Sequence, residues 1–273
     1  MSTPKIAEPL VAPVVDTHCH MDVTFDEDHQ LPSVEVAMSQ AKAMNVTKVI
    51  QVGCDVASSR WAAETAATHP DVWATVALHP NAAAHDPDLE SSLSQIAELA
   101  TLAQVRGIGE TGLDYYRTQR DQAAAQHVSF RAHIDIAKKV NKPLIIHDRD
   151  AHDDVLKTLL EYGAPEKVVF HCFSGDAQMA QICAANGWYM SIPGVVTFKS
   201  AESLRQAVQL IPDELLLVET DSPFLTPVPV RGTPNASTNV PWTVRAICEV
   251  RGQAEQEICD LLFSNAERVF GPF

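Results

Sequence analysis

The chain has 273 residues, of which 46% are hydrophobic, with a net charge of −15 and six cysteines. That length fits one barrel-sized domain of about 250 residues with a substantial core. The acidic balance excludes a protein that clings to long nucleic acid through a broad basic surface. No apolar run reaches the roughly 20 residues that span a bilayer, and no basic-then-apolar leader opens the sequence, so the reading is cytoplasmic. The cysteines, Cys19, Cys54, Cys172, Cys183, Cys248 and Cys259, show no close paired spacing and read as small buried hydrophobes in a reducing compartment.

Residues 1–12 read as a flexible extension, and residues 13–273 as a single domain. From there strand-like and helix-like stretches alternate. A strand over 14–17 leads to a helix over 31–45; 47–52 to 58–68; 72–78 to 89–103; and 105–109 to 121–140. Further on, 143–146 leads to 150–162, 168–170 to 177–186 and 188–192 to 201–210, with a last strand over 215–219. Eight β segments with a helix after most of them predict an α/β fold of the TIM (β/α)8 type. Asn141 and Asn186 stand where helices should stop, and Gly187 follows the second. The stretch 222–241, with Pro223, Pro227, Pro229, Pro234 and Pro241, reads as a long irregular loop. The capping-box spacing of Ser264 and Glu267 predicts a short final helix over 265–270.

Six residues able to hold a metal sit at the ends of these strands: His18, His20, Glu110, His147, His171 and Asp221. A parallel barrel brings all its strand ends to one rim. His18 and His20 alternate with Cys19, so the imidazoles share a side and the thiol faces away. Glu110 lies between glycines that let the backbone bend sharply, and a carboxylate has two oxygens with which to bridge two cations. His147 and His171 each close an almost wholly apolar run, where a lone histidine would read as a satisfied core residue; at consecutive strand ends the pair reads as ligands. Asp221 is placed to bind a cation and to take a proton from a water that the metal acidifies. Four imidazoles and two carboxylates form a mixed nitrogen and oxygen set suited to Zn, Mn, Fe or Ni, with Mg also compatible. Around them, His79 reads as a substrate hydrogen-bond donor or a support for a ligand. Arg149 reads as a phosphate contact or as the partner of a neighbouring Asp, and Arg231 as a phosphate contact from the long loop. Ser174 reads as a rim donor or a helix cap.

Asp16-Thr17-His18-Cys19-His20-Met21-Asp22, Leu78-His79-Pro80, Gly109-Glu110-Thr111-Gly112-Leu113-Asp114 and Pro143-Leu144-Ile145-Ile146-His147 resemble motifs of the TatD-type metal-dependent deoxyribonucleases. Phe170-His171-Cys172-Phe173-Ser174-Gly175 and Glu219-Thr220-Asp221-Ser222-Pro223-Phe224-Leu225 complete the resemblance, which runs from Val15 to about Phe270 in the family's order. The resemblance implies a TIM barrel of the amidohydrolase superfamily and two divalent metal ions. It implies one metal held by His18, His20, Glu110 and Asp221, and a second held by Glu110, His147 and His171, with Glu110 bridging. It also implies phosphodiester hydrolysis in DNA, often exonucleolytic. One departure stands out. Where family members often carry Arg-Gly-Lys-Arg-Asn-Glu-Pro after the eighth strand, this chain has Arg231-Gly232-Thr233-Pro234-Asn235-Ala236-Ser237, short of two cations and the Glu.

The leading expectation is therefore a hydrolase acting at DNA ends through a metal-activated water, with Glu110 and Asp221 as the catalytic carboxylates and no obligate protein partner or membrane. The alternative is D-aminoacyl-tRNA deacylation, or another ester or amide hydrolysis, on the same barrel. A non-catalytic scaffold is the third reading, and the full ligand set argues against it.

Overall fold

The computed structural model describes residues 6–28 and 30–272. Eight parallel strands follow one another in sheet order: β1 (Val14–Cys19), β2 (Val46–Val52), β3 (Val72–Val76), β4 (Val105–Asp114), β5 (Leu144–Arg149), β6 (Val168–Phe170), β7 (Tyr189–Ile192) and β8 (Leu216–Val218). The two edges meet just beyond β8. Cys19 bridges Ser222 in parallel, Asp221 N donates to His18 O at 2.9 Å, and His20 N donates to Ser222 O at 2.9 Å. Helices cover the outside: α1 (Val34–Ala43), α2 (Val56–Thr68), α3 (Pro80–His85), α4 (Leu89–Leu99), α5 (Ala124–Val140), α6 (His152–Thr158), α7 (Ala177–Ala185), α8 (Glu202–Leu210), α9 (Val240–Arg251) and α10 (Glu255–Phe270). Strands covered on both faces carry near-continuous apolar runs, and every residue of β3, β6, β7 and β8 is buried. None of the described helices is long and apolar enough to cross a membrane.

The helix punctuation works as its chemistry requires. Asp55 caps α2 in a reciprocal box with Ser58. Asn141 ends α5 in the left-handed region at φ 53°, and after Asn186 ends α7 it is Gly187, at φ 69°, that takes that conformation.

Several elements differ from the sequence reading. Helix α3 was unforeseen; Pro80 starts it and the His79 side chain accepts the Asn81 N–H, a capping role usually filled by shorter side chains. Strand β4 runs on past Gly109 to Asp114, and the helix expected over 150–162 is α6 followed by a π-helical turn, Leu159–Gly163. The long loop stops at Asn239, because Pro241 sits in the first turn of α9, where no intrahelical donor is needed. The short terminal helix is the second half of α10. Ile258, Cys259, Leu262, Ala266 and Val269 give that helix one buried stripe, which overrides the capping spacing at Ser264.

Of the expected extension, residues 1–5 lie outside the described residues, and the rest is not loose. Ala7, Leu10 and Ala12 are buried, and Leu10 N donates to Met44 O. Arg245 donates to Glu8 O and Pro9 O, and Glu255 accepts from Val11 N.

Candidate metal centre

The ligand candidates come from five strands that the topology forces to one rim. His18 lies in β1 and His20 follows it; Glu110 lies in β4 and His147 in β5; His171 follows β6 directly, and Asp221 sits three residues past β8. Glu110 owes its position to two glycines. The pairing of β4 with β5 slips between Ile108 and Thr111, and the Gly109–Glu110 peptide is cis. A Cβ on Gly109 would lie 2.5 Å from the Ile145 carbonyl oxygen, and one on Gly112 would lie 2.1 Å from that of His147. Only glycine allows β4 to press this closely on β5, and the irregularity aims the carboxylate inward.

The two oxygens of Glu110 face different partners. Its Oε2 lies 3.4 Å from His18 Nε2 and 3.9 Å from His20 Nε2. Its Oε1 lies 2.8 Å from His171 Nε2 and 2.5 Å from His147 Nδ1. Asp221 Oδ1 completes the first group, 3.5 Å from His20 Nε2 and 3.8 Å from His18 Nε2. His18, His20 and Glu110 thus form one cluster with metal-ligand spacing, and Glu110, His147 and His171 another. All six expected ligands are brought together, across 203 positions of sequence from His18 to Asp221.

The donor set fits a cation. His18 Nε2 and His20 Nε2 face each other at 3.3 Å, and the His18 and His171 rings stack at 3.8 Å between centroids. Among the described residues no Lys or Arg lies within this group, and the carboxylate oxygens and ring nitrogens converge at ligand spacing. Burial, aided by the charge of His171, lowers the His18 pKa to about 3, which leaves its ring neutral and able to ligate. Burial opposes the ionisation of Glu110, but His171, His79 and His147 outweigh it and hold the carboxyl well below the usual range.

Carboxylates behind the ligands decide which ring nitrogen is free. Glu219 Oε1 lies 3.2 Å from His171 Nδ1 and accepts from Cys172 N at 2.7 Å. Asp114 Oδ2 lies 3.3 Å from His147 Nε2, while its Oδ1 accepts from Arg117 N. Asp16 takes Thr220 N and Oγ1 and Ser237 Oγ, and so ties β1 to the segment that carries Asp221. Burial pushes Asp16 and Glu219 each up to about 6. Cys172 and Asp221 both have positive φ, at 44° and 54°, a cost that side chains accept where a site demands it. Sequence reasoning quoted Asp16, Asp114 and Glu219 without giving them a role. Their signal was a carboxylate in or directly at the end of a buried strand, which must have a partner.

A cavity of about 570 Å³ opens over the centre, lined among others by His20, His79, Arg117, Arg149, Ser174 and Phe224. His79 Nε2 points to His147 Nδ1 at 3.3 Å and to Glu110 Oε1 at 3.4 Å. Arg149 does not pair with Asp148 or Asp150; its guanidinium lies 3.8 Å over the exposed ring of Tyr116. Arg231 does not line the cavity. It rests 3.9 Å over the Phe198 ring, and Arg117, passed over in the sequence, takes the place expected of it. Ser174 lines the cavity and does not cap α7, whose cap is Asp176. Cys19 turns away from the histidines toward Ile50 O, whereas Cys54 lies 3.8 Å from Glu110 Oε2 and 3.9 Å from His20 Nδ1.

Known proteins resemble this one over most of the chain. A family profile described as TatD related DNase matches residues 15–271. An uncharacterized metal-dependent hydrolase, TatD, of Mycobacterium tuberculosis is 42% identical over 94% of this chain and 98% of its own length. Another, YabD of Bacillus subtilis, is 38% identical over 93% of this chain and 98% of its own. The crystal structure of YJJV, a TatD homologue from Escherichia coli, superposes with a TM-score of 0.87 at 26% identity, covering 95% of this chain and 98% of that one. With a family model matched over residues 15–271 and relatives 42% and 38% identical over nearly their full length, the chain belongs to the TatD family, among relatives named as metal-dependent hydrolases.

Proposed function

We propose that the protein is a metal-dependent hydrolase that cleaves phosphodiester bonds at DNA ends. The observation that carries this reading is the division of Glu110, one oxygen toward His18 and His20 and the other toward His147 and His171. His18, His20, Glu110 and Asp221 would hold one divalent cation, and Glu110, His147 and His171 would hold a second. Such cations polarise the phosphoryl oxygens and acidify a water. The chain supplies the rest. Asp221, held ionised by His20 and its neighbours against its burial, accepts the proton of the attacking water. His79 donates from Nε2 to a substrate oxygen. Arg149 and Arg117 at the cavity mouth orient the phosphate. All six cysteines are free, which agrees with a cytoplasmic setting.

The test is Glu110→Ala, with metal content and cleavage of a single-stranded oligonucleotide measured across Mg, Mn and Zn. The variant should lose both; full nuclease activity in it overturns the proposal. A second reading, ester hydrolysis on an aminoacyl-tRNA, is favoured by the net charge of −15 and by the missing cations in residues 231–237. Side-by-side assays with single-stranded DNA and a mischarged tRNA separate the two.

A further inference from the structure

A second cavity of about 290 Å³ lies beside the metal centre, between the segment leaving β1, the start of α1 and the loop after β8. It shares His20 and Val23 with the first cavity, so the two are neighbours across a proposed ligand of the centre. Their linings differ in kind. The first carries Glu110, Asp114, Asp148 and Asp221 with Arg117 and Arg149; among the described residues no Asp, Glu, Lys or Arg lines the second.

Met21, Met38, Pro223 and Pro234 give this cavity apolar walls. Its far wall is fixed. Asn235 Nδ2 donates to Thr220 O and Phe224 O, its Oδ1 accepts from Ala236 N and Asn239 Nδ2, and Ser237 Oγ donates to Asp16. Three other polar side chains of the lining are uncommitted: Gln40, Ser222 and Thr238 hydrogen-bond through their side chains to no described residue. Apolar walls with a few unspent amide and hydroxyl groups select a flat, uncharged ring with donors and acceptors along its edge. Thioethers of methionine also make favourable contacts with aromatic rings. A nucleobase has this chemistry, with two apolar faces and a polar edge. The α-ammonium of an aminoacyl ester would meet no carboxylate here.

We infer that this cavity is a nucleobase subsite that holds the base adjoining the scissile phosphodiester, an assignment that rests on the phosphodiester reading above. It accounts for an acidic protein acting on DNA with few phosphate contacts: the grip is on the base, through apolar walls, methionine thioethers and a few polar groups.

The test uses the zinc-loaded full chain with isotope-labelled methionine methyl groups, titrated with deoxyadenosine and, separately, with 2-deoxyribose. Met21 and Met38 should shift with deoxyadenosine and not with the sugar, while the buried Met44, Met179 and Met190 stay in place. Ala37→Trp, which fills the cavity from α1, should weaken nucleoside binding at least tenfold, with the Met44, Met179 and Met190 signals reporting that the barrel is intact. Unmoved Met21 and Met38 signals at the solubility limit of the nucleoside overturn the inference, as does wild-type nucleoside binding by a folded Ala37→Trp. The wild-type titration decides alone if that variant does not fold. Nothing is cleaved in this experiment, so loss of the phosphodiester reading in its own assay and loss of the base subsite are separate results.

Discussion

Glu219→Gln isolates the part of the centre that sequence reasoning passed over. Glu219 is wholly buried, and its Oε1 serves both His171 Nδ1 and Cys172 N, while Oε2 has no partner. By accepting from Nδ1 it fixes the ring so that His171 Nε2, 2.8 Å from Glu110 Oε1, is the nitrogen that would serve the second proposed cation. Glutamine keeps the shape and one acceptor but removes the charge. It also places an NH2 group either in the unpartnered Oε2 position or against the donors it should accept from. Losing such an orienting carboxylate typically costs 10- to 100-fold in metal affinity, about 1.4 to 2.7 kcal/mol. The assay is competition with a chromogenic chelator for two zinc equivalents above pH 7, where a carboxyl with a pKa of about 6 is ionised. One step should weaken by that factor. The other should hold within about threefold, because Glu219 hydrogen-bonds to none of His18, His20 and Asp221. Two unchanged steps, or two steps weakened alike, refute the reasoning.

Three further outcomes follow from the same geometry. Gly112→Ala, whose new Cβ falls 2.1 Å from the His147 carbonyl oxygen at φ 145°, should cost well over ~1 kcal/mol and lower Tm by about 3 °C or more; an unchanged melting curve contradicts the packing argument. His133 is buried, with Nε2 accepting from Leu78 N and Nδ1 against Ser129 O, and burial lowers its pKa from 6.5 to about 4. The unfolded chain binds this proton between those two values and the native protein does not, so the stabilisation is complete above pH 6.5 and is lost as pH falls toward 4. His133→Gln should flatten the urea-midpoint profile across that window by on the order of 3 kcal/mol, and parallel profiles would refute it. Finally, Arg117 and Arg149 are the only basic side chains in the described lining of the main cavity. The log–log salt slope of kcat/KM on single-stranded DNA should therefore be no steeper than about −1.4, and Arg149→Ala should halve it; a wild-type slope beyond about −3 shows phosphate contacts elsewhere.

Strand ends were legible because two periodicities combine there: apolar runs mark the barrel, and the first polar residue after each run marks the rim. His147 and His171 show it best, each read directly off the run before it. What was not legible depends on partners distant in sequence. Glu219 lies two residues from Asp221 and looks like a second ligand or a structural acid; only the fold places it against His171, 48 positions away. Arg231 and Arg117 are both loop cations in the sequence. The fold lays one on Phe198 and turns the other into the cavity, a choice made by packing that charge pattern does not encode. Helix α3 escaped notice because its signal is a histidine acting as a cap before proline.

That cap also bears on which nitrogen of His79 carries its proton. His147 and His171 have carboxylates behind them, so each can donate its outer N–H there and turn its inner nitrogen, Nδ1 in one and Nε2 in the other, toward Glu110. His79 Nδ1 instead accepts the Asn81 N–H at 3.0 Å, and burial lowers its pKa. A neutral ring whose Nδ1 is an acceptor must carry its proton on Nε2, the nitrogen aimed at the centre. Three imidazoles thus crowd the same Glu110 oxygen, two as proposed ligands and one set up as a hydrogen-bond donor. The difference lies entirely in whether an acceptor or a donor stands behind each ring.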